Sequence, residues 1–116
     1  MSNQQFTVYV TNNTGAAITN VSAIHYCDGV TIGNVWASIA DAASQQLGVV
    51  QTYTGHKDYW TVQFAYDGNL YQANCYCSPD SGDTEGYILL TANYYSIVYK
   101  PIGDSCANKP YAYTTL

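Results

Sequence analysis

Apolar and polar residues alternate along several short runs of this chain, and each run ends at residues that favour turns. The first run, QFTVYV at residues 5–10, is followed by an Asn-rich turn. A second run, AAITNVSAIHYC at residues 16–27, ends at Asp28 and Gly29. Many short alternating strands separated by turn residues are typical of a β-sandwich or barrel. We therefore predict an all-β fold, a single-domain antiparallel β-sandwich over residues 1–116.

The clearest strand pair lies between Tyr59 and Tyr76, on both sides of an Asp67-Gly68 turn. Asp-Gly between two alternating runs is a strong signal for a two-residue β-hairpin. One face of this hairpin would carry Trp60, Val62, Phe64, Tyr66, Tyr71, Ala73 and Cys75. The other would carry Thr61, Gln63, Gln72 and Asn74, with Tyr59 opposite Tyr76. A slip of one residue would mix the two sets, so the register is well specified.

The segment ASIADAASQQLG, residues 37–48, lacks this alternation. It is rich in Ala and ends at Gly48, which suits the position just after a helix. We expect at most a short helix here, with a loop followed by a strand as the alternative. The whole stretch 30–48, which contains Trp36, reads as the loosest part of the chain.

Charge is scarce in this protein, since charged residues make up 9% of the chain and the net charge is -5. There is no Arg, and the only Lys residues are Lys57, Lys100 and Lys109. Three separate cations cannot replace the counterions of a nucleic acid, so nucleic-acid binding is excluded as a function class. Adsorption to an anionic membrane by charge is disfavoured for the same reason. The 13 Tyr residues suit sugars, zwitterionic lipid headgroups or another protein as ligands, and they also favour strands.

The four cysteines leave three interpretations open. Free, buried thiols are one, and a single disulfide from Cys75 or Cys77 to Cys27 or Cys106 is another. The third is a zinc site, because HYC and CYC each place two ligand types two residues apart. In that case the metal ligands would be His25, Cys27, Cys75 and Cys77.

Two further groups have weaker chemical signals. Asp80, Asp83 and Glu85 form an acidic loop that is either solvated or able to hold calcium. His25 beside Cys27 is the nearest approach to a catalytic pair. The chain has no nucleophile elbow, phosphate loop or HExxH motif, so we expect no enzyme activity, no catalytic residues and no cofactor.

Aromatic residues at strand ends are the best candidates for binding a ligand. The stretch TGHKDYW, with Tyr53 just before it, places several of them at the entrance of a strand. We predict ligand-binding roles for Trp36, Tyr53, His56 and Tyr59, and expect Trp60 in the core. More aromatics crowd the C-terminal part, namely Tyr94, Tyr95, Tyr111 and Tyr113.

The N-terminal residues MSNQQFTVYV have neither the basic start nor the apolar run of a signal peptide. This pattern favours a cytoplasmic or non-classically secreted protein, with thiols that stay reduced.

Two short motifs resemble those of the aegerolysin-like family of small β-sandwich proteins. They are the start FTVYVTNNTG and the middle YTGHKDYWTVQF, and the resemblance covers roughly residues 6–72. It rests on Val8, Val10, Asn12 or Asn13, Thr14, Gly15, Thr54, Gly55, Asp58, Tyr59, Trp60 and Val62. The resemblance implies a protein that recognises particular membrane lipids and acts, in several members, with a larger partner that makes the pore.

These observations predict a non-enzymatic, toxin-like protein whose ligand is a membrane lipid. A carbohydrate-binding lectin is the first alternative. A structural protein that self-associates through weakly charged surfaces is the second.

Overall fold

The computed structural model describes residues 3–103 and 105–116. Within these ranges the chain forms ten β-strands and no α-helix. The strands are β1 (Gln4–Asn13), β2 (Ile18–Cys27), β3 (Val30–Ile39), β4 (Ser44–Thr52), β5 (Tyr59–Tyr66), β6 (Asn69–Tyr76), β7 (Glu85–Thr91), β8 (Tyr95–Lys100), β9 (Ser105–Lys109) and β10 (Ala112–Thr115). None of the described segments is a helix of the length and apolar character needed to cross a bilayer.

The strands form two five-stranded sheets that pack face to face. Sheet I has the order β4-β1-β7-β8-β9, and sheet II has the order β10-β6-β5-β2-β3. Neighbouring strands are antiparallel except for β1 and β7, which are parallel. The predicted all-β sandwich is therefore confirmed, with one parallel pair inside a mostly antiparallel fold.

The β5–β6 hairpin has the predicted register. Trp60 pairs with Cys75, Phe64 pairs with Tyr71, and Tyr66 pairs with Asn69 across the turn. Its inward face is buried or half-buried, while its outward face carries the polar residues. The pattern succeeds here because β5 lies in the middle of sheet II, where one side of the strand meets the core and the other meets solvent.

The core fills the space between the inward faces of the two sheets. Phe6 of β1 contacts His25 of β2, and the ring centroids are 5.8 Å apart. The same ring lies 5.5 Å from Tyr99 of β8 and 6.2 Å from Trp60 of β5. The largest fully buried side chains include Trp60, Tyr99, Phe6, Phe64, Ile18, Ile39, Ile88, Leu90 and Ile97.

Residues 37–48 do not form the short helix that was one of the two alternatives, whereas the other alternative, a loop followed by a strand, is confirmed, and the stretch 30–48 is not loose. Instead it contains β3 and most of β4, joined by a short turn. Gly48 lies inside β4 opposite Val8, next to a β-bulge, and its φ of 144° favours glycine. Both strands are sheet edges. Edge strands bury fewer side chains, so the alternation that marks a strand is weak in this stretch.

The two ends of the sandwich differ in what closes them. The turn at residues 28–29 and the loops 53–58 and 77–84 lie at one end, which we name the upper end. The turns at residues 14–17, 40–43, 67–68 and 92–94 lie at the opposite, lower end.

Buried Asn12 organises the lower end. Its side-chain nitrogen donates to the carbonyl oxygens of Ala16, Ile39 and Ala40, at 2.8 to 3.2 Å. Its side-chain oxygen accepts from the backbone and the hydroxyl of Thr14. One side chain thus joins the end of β1 to the end of β3.

Candidate functional site

Three tyrosines form a row on the outward face of sheet II at the upper end. Tyr26 of β2 pairs with Tyr59 of β5, which in turn pairs with Tyr76 of β6. Strands lie about 4.8 Å apart, so the row extends roughly 10 Å across the sheet. Tyr26 is 44% exposed and Tyr76 is 62% exposed. We call these three residues the tyrosine row.

The loop 53–58 crosses from sheet I to sheet II beside this row. Its Lys57 ammonium lies 5.4 Å from the centroid of the Tyr76 ring, a cation–π contact. The rings of Tyr59 and Tyr76 are 4.9 Å apart and tilted by 55°. In the same loop, the His56 Nε2 atom is 3.4 Å from the Asp28 carboxylate, and both side chains are about half exposed. The upper end therefore brings aromatic faces, one ammonium and one imidazole to a single surface.

The strands around the tyrosine row carry no charged residue, and the nearby charges of Lys57 and Asp28 belong to the loop 53–58 and the turn at residues 28–29. None of the five strands of sheet II contains Asp, Glu, Lys or Arg. Below the row, Asn74 accepts from the hydroxyls of Tyr59 and Thr61. Further down, Gln63 donates to Gln72 at 2.9 Å. A ligand on this face would meet aromatic rings, hydroxyls, amides and the exposed apolar side chain of Ile24.

Directly beneath the row, the inward face holds a buried polar cluster. Asp58 is 0% exposed and His25 is 1% exposed, and their side chains are 2.5 Å apart. The second oxygen of Asp58 accepts from the Thr52 hydroxyl at 2.6 Å. The carbonyl oxygen of Asp58 accepts from the backbone nitrogen of Cys77. Because Thr52 ends a strand of sheet I and His25 belongs to sheet II, Asp58 links the two sheets.

Cys27 does not form a catalytic pair with His25 in this arrangement. The His25 Nε2 atom is hydrogen-bonded to Asp58, while the Cys27 thiol interacts with the Thr52 side chain and the Tyr53 backbone. Burial raises the pKa of the Cys27 thiol, which keeps it in the unreactive protonated form. The geometry of the cluster is that of a structural support.

The zinc site predicted from His25, Cys27, Cys75 and Cys77 is not assembled. Cys77 forms a disulfide with Cys106 of β9, and the His25 side chain is hydrogen-bonded to the Asp58 carboxylate. In residues 3–103 and 105–116, no three His, Cys, Asp or Glu side chains are placed to hold a metal ion. Cys27 and Cys75 are free, so the disulfide and free-thiol interpretations each apply to one pair of cysteines. The expectation of reduced thiols is wrong for Cys77 and Cys106.

The acidic loop is a structural cap. Asp83 is buried, and one of its oxygens accepts from the backbone nitrogens of Ile102 and Gly103. Its other oxygen accepts from the backbone nitrogen of Asp80. Glu85 accepts from the Tyr87 hydroxyl. Both oxygens of Asp83 therefore accept hydrogen bonds from the 80–83 and 101–103 turns, so the carboxylate has its partners without a cation.

The four predicted ligand-binding residues divide between two places. Tyr53, His56 and Tyr59 lie together at the upper end. Trp36 lies on the inward face of β3, half-buried against the core, and pairs with Val21. It is five residues from the level of the tyrosine row, or roughly 17 Å along the strand. Trp60, expected in the core, is buried and donates to the carbonyl oxygen of Cys77.

The sequence placed Tyr76 opposite Tyr59 on the outward face of the hairpin, and the structure confirms this pair. Neither Tyr76 nor Tyr26 was predicted to bind a ligand, and the position of Tyr26 beside Tyr59 was missed. The signal was available in HYC and CYC, residues 25–27 and 75–77. In an alternating strand, a Tyr between two inward-facing residues points outward. The pairing of β2 with β5 carried no turn signal, because these strands are far apart in the chain.

Compared with known proteins, the chain matches no protein-family model, and no curated protein matches it. The resemblance to aegerolysin-like proteins therefore stays a prediction from short motifs. In this fold the motif residues Asn12, Thr14, Asp58 and Trp60 are all buried and hydrogen-bonded.

Proposed function

We propose that this protein binds the headgroups of membrane lipids at its upper end, in a toxin-like or defence role and without catalysing a reaction. The observation that carries the proposal is the tyrosine row, with the Lys57 ammonium placed over the ring of Tyr76. Tyr suits the membrane interface because one end of its side chain is apolar and the other end is polar.

The preferred headgroup is zwitterionic and contains choline. A quaternary ammonium binds to the faces of aromatic rings by the same attraction that holds Lys57 over Tyr76. When choline takes that position, the Lys57 ammonium is released to pair with the lipid phosphate. The uncharged strands of sheet II and the net charge of -5 disfavour binding to anionic lipids by charge alone.

The toxin-like role rests on the resemblance to aegerolysin-like proteins. That resemblance also implies a larger partner protein that makes the pore. On that basis, the proposal assigns this chain the recognition step.

Co-sedimentation with liposomes tests the proposal. Suitable vesicles are phosphatidylcholine alone, sphingomyelin with cholesterol, phosphatidylethanolamine and phosphatidylglycerol. We expect the protein to pellet with the choline lipids, and salt to have little effect. Tyr76→Ala and Tyr59→Ala should each weaken this binding about tenfold, the effect of losing a desolvated cation–π contact.

Two variants serve as controls. Tyr76→Phe keeps the ring face and should retain binding. Tyr94→Ala removes an exposed tyrosine from the lower end and should bind like the wild type. If no vesicle pellets the protein, or if Tyr94→Ala weakens binding as much as Tyr76→Ala does, the proposal fails.

A further inference from the structure

A second surface with binding chemistry lies at the lower end, away from the tyrosine row. It is a cavity of about 310 Å³ between the 92–94 turn, the 110–111 connection and the neighbouring strands β6 and β10. This volume is at the small end of the range for small-molecule sites, roughly 300–1,000 Å³. The lining residues are Asn69, Tyr71, Ala92, Asn93, Pro110, Tyr111 and Tyr113.

Two of its aromatic walls are held in fixed orientations. Tyr71 stacks on Phe64, with ring centroids 5.4 Å apart and planes 15° from parallel. Tyr111 donates its hydroxyl to the carbonyl oxygen of Thr91 at 2.9 Å, and its ring lies 5.3 Å from Tyr95. The site is therefore formed before a ligand arrives, which lowers the entropy lost on binding.

The third wall, Tyr113, is open to solvent. It lies on β10, an edge strand of sheet II, and is 66% exposed. Its ring is 5.7 Å from Tyr71 and inclined by 36°. An exposed ring beside a fixed one offers a flat apolar face to a ligand ring.

Apart from the Tyr111 hydroxyl, the polar side chains of the cavity have no hydrogen-bond partner within the described part of the protein. Within the described residues, the side-chain amides of Asn69 and Asn93 make no hydrogen bond, and neither do the hydroxyls of Tyr71 and Tyr113. An amide offers two donors and an acceptor, so the cavity presents several hydrogen-bonding groups to an incoming molecule. None of the lining residues is charged.

We propose that this cavity is a carbohydrate-binding site for one or two sugar residues. Sugars combine a neutral charge, an apolar ring face formed by C–H groups, and hydroxyls that both donate and accept. Those are the features that Tyr113, Asn69 and Asn93 complement. The proposal does not depend on lipid binding, because the cavity and the tyrosine row lie at opposite ends of the sandwich.

Isothermal titration with individual saccharides tests the proposal, after a glycan array has selected the best binders. Suitable soluble probes are the methyl glycosides of glucose, galactose, mannose and N-acetylglucosamine, with lactose and cellobiose as disaccharides. We expect at least one probe to bind, and Tyr113→Ala to weaken that binding at least tenfold. Asn93→Ala should weaken it several-fold.

Matched variants show whether the loss comes from this cavity. Tyr113→Phe keeps the ring and should retain most of the affinity, while Tyr76→Ala at the upper end should change nothing. Thermal unfolding of each variant should match that of the wild type, because Tyr113 and Asn93 are exposed.

Three results would overturn the proposal. The first is that no saccharide on the array or in the titrations binds. The second is sugar binding that survives both Tyr113→Ala and Asn93→Ala. The third is that Tyr113→Ala alters only sedimentation, which would identify the edge strand β10 as a contact between copies of the chain.

Discussion

At the upper end, the inward and outward faces of sheet II are built from alternate residues of the same strands. The inward face stabilises the fold, whereas the outward face is exposed to solvent. His25 faces inward and is bonded to buried Asp58, while the next residue, Tyr26, faces solvent. Likewise, Asp58 is followed by Tyr59 of the tyrosine row. One short motif can therefore both hold the fold and present a binding surface, because consecutive residues of a strand point to opposite sides.

The largest effect is expected on the inward face. Asp58→Ala leaves His25 and the Thr52 hydroxyl buried without their acceptor, so the free energy of unfolding should fall by about 3–5 kcal/mol. Urea unfolding followed by Trp fluorescence measures this change. Asp28→Asn is the matched control, since it removes the carboxylate partner of exposed His56, keeps a residue type that tolerates the positive φ of this position, and should cost less than about 0.5 kcal/mol. Equal losses in the two variants would remove the distinction between the faces.

The disulfide is the next largest contribution to stability near the inward face. It joins Cys77 to Cys106 across 29 residues of sequence. Replacing both cysteines by Ala should lower the free energy of unfolding by about 3–4 kcal/mol, through the greater entropy of the unfolded chain. Reducing agent should destabilise the wild type similarly and leave the double variant unchanged. A double variant as stable as the wild type would contradict this role.

Tyr99 should show an intermediate effect that depends on pH. Burial raises its pKa, and its hydroxyl donates to the carbonyl oxygen of Cys77. Tyr99→Phe should cost about 1–2 kcal/mol at neutral pH through the lost hydrogen bond.

The pH dependence follows from the raised pKa. The protonated folded state is favoured fully below the unfolded pKa of about 10, and this stability is lost as the pH rises further. Above pH 10, a buried tyrosine with a raised pKa lowers the free energy of unfolding by about 1.4 kcal/mol per pH unit. The free energy of unfolding of Tyr99→Phe should therefore fall less steeply with pH than that of the wild type, by about this amount. Urea unfolding at several alkaline pH values measures the slopes, and identical slopes would be inconsistent with the buried hydroxyl.

The smallest effect on stability is expected on the outward face. Tyr26→Ala removes a cross-strand contact with Tyr59, and the free energy of unfolding should change by less than about 1 kcal/mol. The same substitution should reduce liposome binding if the tyrosine row binds headgroups. A stability loss as large as that of Asp58→Ala would mean that the row is structural.

The sequence predicted the parts of the fold in which local pattern and environment agree. The β5–β6 hairpin was predicted with its register, since an Asp-Gly turn joins two alternating strands in the middle of a sheet. Residues 37–48 were left undecided between a short helix and a loop followed by a strand, because Ala-rich edge strands lack a buried face that would reveal them. Of the predicted binding residues, Trp36 was separated from the others because nothing local indicated which face of β3 it occupies.

By itself, the amino-acid sequence determined the fold class, the β5–β6 register, the scarcity of charge and the inward or outward direction of residues in clear strands. These properties follow from the two-residue period of a strand and from composition. Which distant segments meet is established by the tertiary structure. It paired Tyr26 with Tyr59, joined Cys77 to Cys106, placed Asp58 between His25 and Thr52, and closed the cavity beside Tyr113. Such contacts depend on the order of strands in two packed sheets, which no local pattern encodes.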